Sequence, residues 1–174
     1  MFSYVLAVFC GVLVLAADQL TKYYIISNPH YFPYGESVEF LNGFLDITYI
    51  HNQGGAWGML SGYRWVLLII TAVVMAVCVV MLVKLGRKSK LFFWAVSLVL
   101  AGGVGNLIDR IFRGGNVIDF LHFEFMPEFP VFNVADCGIV IGAGLLILYF
   151  LTDMINESKN KKLQPAEEPH DENV

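Results

Sequence analysis

Residues 91–111 read LFFWAVSLVLAGGVGNLIDRI, an apolar run that ends in a cluster of polar side chains. About 20 helical residues cross roughly 30 Å of hydrocarbon, so the run is predicted to span a bilayer. Near its end Asn106, Asp109 and Arg110 stand at i, i+3 and i+4, which places all three on one helical face. Gly102, Gly103 and Gly105, one turn deeper, admit close approach of a neighbouring helix or a ligand. Ionisable groups at that depth are expensive and mark function. A blander reading of the same residues is a packing face with a snorkelling Arg110 and an i, i+4 pair of Asp109 with Arg113.

Three more stretches have membrane length: about 4–26, 65–85 and 134–153. With 174 residues, 57% hydrophobic content, mean hydropathy +0.63 and only 15% charged residues, the chain is no ordinary soluble domain. The expected fold is a mainly α membrane protein of four transmembrane helices, a single integral-membrane domain over residues 1–155. Residues 156–174, rich in Lys, Glu, Pro and Asn, read as a disordered cytoplasmic tail. Lys84, Arg87, Lys88 and Lys90 crowd the short second connection, and Lys159, Lys161 and Lys162 follow the last span. These seven of the eleven basic residues place both termini in the cytoplasm and the two longer connections outside.

The first outer connection carries turn formers at Asn28-Pro29, Pro33, Gly35 and Gly43 around the alternating pieces Ser37 to Leu41 and Phe44 to Ile50. A small extracellular β-sheet over about residues 30–60, between the first two helices, is expected. Tyr23, Tyr24, Tyr31, Phe32, Tyr34, Tyr49, Trp57, Tyr63 and Trp65 gather at that level as an interfacial aromatic belt. No Lys or Arg precedes the first apolar run and hydrophobicity resumes after Lys22, so a membrane span is expected there rather than a cleaved leader. Three cysteines form no closed disulfide set, and Cys10 and Cys78 read as small apolar fillers.

If the spans alternate in direction, the strongest polar signals converge at the outer face. Asp18 and Lys22 close the first span, Asn106, Asp109 and Arg110 the third, and Asn133 and Asp136 open the fourth. Asp119 joins them from an apolar setting, Asn116-Val117-Ile118-Asp119-Phe120-Leu121, which suggests a loop folded down onto the membrane. Two carboxylates sharing such a site do not both ionise easily, so one serves as base and the other as acid. Water deprotonated between them can attack a peptide carbonyl without a covalent intermediate, metal or cofactor. Asn106, Asn133 and Arg110 are suited to orient substrate or to stabilise developing negative charge.

Five blocks in order resemble the lipoprotein signal peptidases (signal peptidase II), aspartic peptidases of the bacterial membrane. They are Asp18-Gln19-Leu20-Thr21-Lys22, Asn52-Gln53-Gly54-Gly55-Ala56-Trp57-Gly58, Gly105-Asn106-Leu107-Ile108-Asp109-Arg110, Val117-Ile118-Asp119-Phe120 and Phe132-Asn133-Val134-Ala135-Asp136. The resemblance implies that Asp119 and Asp136 are the catalytic pair and that Asp18, Lys22, Asn52, Gly54, Asn106, Asp109, Arg110 and Asn133 bind substrate or support the site. It implies cleavage of diacylglyceryl-modified prolipoproteins just before the lipidated cysteine, at the outer face of the cytoplasmic membrane. Globomycin-type inhibitors and contact with membrane lipid are likewise implied, no nucleic acid is involved, and a monomer is expected. Gly55 and Ile118 stand where the family more often has Ala and Val, and neither change removes a reacting group.

Other classes fit less well. An ion- or proton-coupled carrier needs polar groups at mid-membrane, and the second span has no charge between Trp65 and Val83. A thiol protease on Cys137 with His51 or His122 meets the difficulty that Cys137 lies about 100° around the helix from Asp136. His51 and His122 belong to no metal-ligand spacing.

Overall fold

The computed structural model describes residues 1–55 and 59–163. Its elements run in the order α1 (Phe2–Ser27), β1 (Ser37–Leu41), β2 (Leu45–Asn52), α2 (Arg64–Leu85), α3 (Lys90–Phe112), β3 (Val117–Phe123) and α4 (Val134–Leu163). All four helices are long and apolar enough to cross a membrane. Local chemistry sets their ends. At the close of α1, Asn28 precedes Pro29, and a residue before proline is steered out of the helical region. At the start of α3 the Ser89 hydroxyl accepts from the Phe92 amide at 3.3 Å.

The helices are not equivalent. In α3, 61% of the apolar window is buried, against 11 to 17% in the other three, so α3 is the axis on which α1, α2 and α4 pack. The glycines explain the closeness of α3 and α4. A Cβ on Gly102 would collide with the Ala135 carbonyl, and one on Gly142 would lie 2.7 Å from the Ala95 carbonyl. Two helix backbones therefore approach to a distance that side chains would prevent. Phe92, Val96 and Val99 of α3 meet Met75 and Cys78 of α2 in the apolar core.

The sheet departs from expectation in one respect. It has three antiparallel strands in the order β1-β2-β3, and the third comes from the connection between α3 and α4. Asp119 therefore sits on a strand, opposite Ile50, rather than in an irregular loop. Phe132 bridges to Leu121 on the other side of β3, so this strand is paired along both edges. The last helix also differs: it continues to Leu163, through residues that read as the start of the tail, and residues 164–174 lie outside the described part. Tyr23, Tyr24, Tyr31, Tyr34, Tyr63 and Trp65 are exposed side chains, while Phe32 and Tyr49 are half-buried. Trp57 lies outside the described residues.

Candidate active site

Four elements are tied together by one buried ionic cluster. Lys22 Nζ of α1 stands 2.9 Å from Asp18 Oδ2 and 2.9 Å from Asp109 Oδ2, and donates to Asn106 Oδ1 at 3.2 Å. Lys22, Asp18 and Asp109 are all fully buried. The i, i+4 spacing of Asp18 and Lys22 makes their pairing a local property of α1. Asp18 Oδ1 also accepts from the Ala135 amide at 2.9 Å, in the first turn of α4. Asp109 Oδ2 accepts from the Ile118 amide of β3 at 3.1 Å, and Asp109 Oδ1 meets Arg113 Nε at 3.0 Å. Two carboxylates thus balance two cations, the condition under which buried charge is tolerable.

Above this cluster stand Asp119 and Asp136, each on a different element. Asn133 is the residue that precedes α4, and its Oδ1 accepts from the Asp136 amide at 2.9 Å. Asp136 Oδ2 accepts in return from the Asn133 amide at 3.2 Å, a reciprocal capping box with a carboxylate as its far member. Asp136 Oδ1 accepts from Asn106 Nδ2 at 2.8 Å. Asp119 is 1% exposed; its Oδ1 accepts from Asn133 Nδ2 at 2.6 Å and its Oδ2 from Asn52 Nδ2 at 2.7 Å. The Gly54 amide fixes Asn52 in turn by donating to its Oδ1 at 3.0 Å.

Both aspartates line a cavity of about 500 Å³. Asn52, Asn106 and Arg110 complete its polar end, and Val74, Met75, Val99 and Ile139 line an apolar stretch between α2, α3 and α4. Arg110 donates from Nη1 to the Asn106 carbonyl at 3.4 Å, while its buried Nε has no partner among the described residues. Burial, and next the negative charge of Asp136, push the Asp119 carboxyl up to about 7, against the pull of donors Asn52 and Asn133 and of Lys22. A carboxyl raised to this range keeps its proton to higher pH than an ordinary aspartate, as a proton donor must.

The signal peptidase (SPase) II family model matches residues 10–152, which is most of the chain. This chain belongs to the signal peptidase II family. Among relatives, it is 42% identical over 154 residues to the lipoprotein signal peptidase of Bacillus pumilus, covering 88% of this chain and 94% of that one. With the lipoprotein signal peptidase of Brevibacillus brevis it shares 43% over 141 residues, 81% of this chain and 91% of the other. A solved bacterial membrane enzyme, determined by the in meso method at 2.3 Å, matches with TM-score 0.80 and 35% identity over 92% of this chain and 94% of that chain. This signal peptidase II is therefore an aspartic protease and a bacterial multi-pass membrane protein. The carrier reading is not favoured.

In the signal peptidase II chain all ten residues singled out from sequence fall into one connected region, in two tiers. Asp18, Lys22 and Asp109 form the buried ionic base. Asn52, Asn106, Arg110, Asp119 and Asp136 face the cavity, with Asn133 and Gly54 bonded just behind. Asn106, Asp109 and Arg110 share a helical face yet divide its work, Asp109 turning to α1 and β3, Arg110 to the cavity. Sequence reasoning missed Gln19, whose Nε2 donates to Asp18 Oδ2 at 3.0 Å and to the Gly105 carbonyl at 3.2 Å. The i, i+4 pair of Asp109 with Arg113, expected only in the blander reading of α3, forms at 3.0 Å, and within the site it neutralises Asp109. Among the described residues no group of three or more His, Cys, Asp or Glu side chains is placed to hold a metal ion.

Proposed function

We propose that this enzyme removes signal peptides from diacylglyceryl-modified prolipoproteins, cutting just before the lipidated cysteine, with Asp119 and Asp136 as its catalytic pair. The observation that carries this reading is the cavity: two carboxylates, each held by donors on both oxygens, close the polar end of an otherwise apolar space. Ionised Asp136 takes a proton from water as the water oxygen bonds to the scissile carbonyl carbon. Protonated Asp119 gives its proton to the carbonyl oxygen. Collapse of the tetrahedral species breaks the C–N bond, and the leaving amine takes a proton from the pair. Arg110, whose Nε has no partner among the described residues, is suited to the negative charge that develops on oxygen. The names of the relatives, lipoprotein signal peptidases, support the substrate class.

The apolar stretch of the cavity is suited to acyl chains, so lipid on the substrate is part of what the enzyme binds. Purified protein in detergent is expected to release the signal peptide from a synthetic diacylated prolipoprotein, leaving the modified cysteine at the new N-terminus. The same peptide without lipid is expected to be cleaved at least about 100-fold more slowly, since remote binding energy supports the reacting centre. Equal rates on both peptides, or cleavage at another bond, would overturn the substrate assignment.

The same reading places both termini in the cytoplasm and the sheet, with the active site, at the outer face, on the strength of the basic residues around Gly86 and after the last span. Residues 1–155 then form one membrane domain that works as a monomer and is open to globomycin-type inhibitors. A reporter enzyme fused after Gly86 is expected to be active only in the cytoplasm, and one fused after Gly43 only outside. The opposite pattern would invert the site.

A further inference from the structure

Each asparagine beside the catalytic pair has its amide oxygen held by a group that can only donate. For Asn52 that group is the Gly54 amide at 3.0 Å, and for Asn133 the Asp136 amide at 2.9 Å. For Asn106 it is the ammonium of Lys22 at 3.2 Å. An ammonium has three protons and no acceptor site, so it forces Oδ1 of Asn106 towards α1 and Nδ2 towards Asp136 Oδ1, at 2.8 Å. Asn133 Nδ2 also points at Asn106 Oδ1, at 3.1 Å, but its two protons are shared with Asp119 Oδ1 at 2.6 Å and the Ile118 carbonyl at 3.2 Å. Two of the three asparagines are locked by backbone; the third is held by one titratable side chain and by an Asn133 amide whose protons are shared among three acceptors.

We infer that Lys22 is a positioning residue for the reaction: by holding the Asn106 amide it keeps a hydrogen-bond donor on Asp136 and thereby keeps Asp136 the ionised base. Without the ammonium, only the shared Asn133 amide opposes a turn of the Asn106 oxygen towards Asp136, an arrangement that requires a proton between them and removes the base. The charged neighbours are accounted for. Asp18 and Asp109 flank Lys22 at 2.9 Å each, and Arg113 pairs with Asp109 at 3.0 Å. Asp119, Asp136 and Arg110 lie on the cavity side, beyond Asn106. The inference rests on the proposed roles of Asp119 and Asp136 and gives Lys22 a part in proton placement beyond holding helices together.

The test is the pH dependence of kcat on the diacylated peptide for two variants. Lys22→Met with Asp18→Asn removes the ammonium together with a carboxylate that has no second cation, while Asp109 keeps Arg113. The double variant is expected to lose about 10- to 100-fold in kcat with KM little changed, and the acid limb of its profile is expected to move up by about one to two pH units. Asn106→Asp keeps a partner for Lys22 and the size of the side chain but aims an acceptor at Asp136. It is expected to move the same limb in the same direction, so the test stands if the double variant does not fold. A folded variant of either kind whose loss is the same at every pH overturns the role of Lys22. Full activity in Asp119→Asn or Asp136→Asn would instead overturn the pair itself, so the two failures are distinct.

Discussion

Asp119→Asn and Asp136→Asn are each expected to lower kcat on the diacylated peptide by at least about 1,000-fold while the folded protein still binds substrate, because in the proposed mechanism each carboxylate supplies a proton transfer that an amide cannot. The losses are expected not to multiply in the double variant, since the two groups act on one water and one carbonyl in a single step. More than a tenth of wild-type activity in either single variant would end the two-carboxylate mechanism. Asp119→Asn carries a second signature, in stability. With its carboxyl raised from 3.8 to about 7, folding favours the protonated form. The stability this group contributes is complete below its ordinary value and is lost as the pH rises through about 7. Asparagine does not titrate. Relative to wild type, the Tm of Asp119→Asn is therefore expected to climb between about pH 4 and about pH 7. A Tm difference that is flat across that interval would show that Asp119 titrates normally in the folded protein.

What was legible in the sequence was what obeys a period or a composition. The four apolar runs, the paired spacing of Asp18 with Lys22, and the shared face of Asn106 and Asp109 follow from helical geometry, and the structure brings them together. Strands β1 and β2 were visible as alternation bounded by turn formers. Strand β3 was not, and its burial explains why: Val117 to Phe120 are buried without interruption, so no polar face alternates with the apolar one. The strand thus looked like an apolar loop, and only its pairing with β2 shows how Asp119 reaches Asn52. The contribution of Gln19 was equally hidden, because a glutamine within a helix has no sequence signal that distinguishes a tie to a neighbouring helix from a solvated side chain. The end of α4 was misjudged because a run of Lys, Asn and Glu can continue a helix from a stable apolar stem as readily as it can end one.

The closeness of α3 and α4 sets the geometry of the pair, so its disruption is expected to have the second large effect. Asn106 and Asp136 face each other across that contact, and Gly102, about one turn below Asn106, lies directly against the Ala135 carbonyl. Neither of those backbones can swing aside as a side chain would. Gly102→Ala is therefore expected to push the helices apart, costing about 1–3 kcal/mol of stability through overpacking. The same displacement lengthens the bond from Asn106 Nδ2 to Asp136 and the one from Asp18 Oδ1 to the Ala135 amide. Misplacement by about 1 Å is enough to lower kcat roughly 100-fold. Gly144→Ala, on α4, is the control, since no described residue lies within 4 Å of a Cβ built there. It is expected to leave both Tm and kcat near wild type, or to raise Tm slightly through helix propensity. Equal behaviour of the two variants would mean that α3 and α4 have room to spare, and that the placement of Asp136 relies on the Asn133 cap and the Lys22 cluster instead.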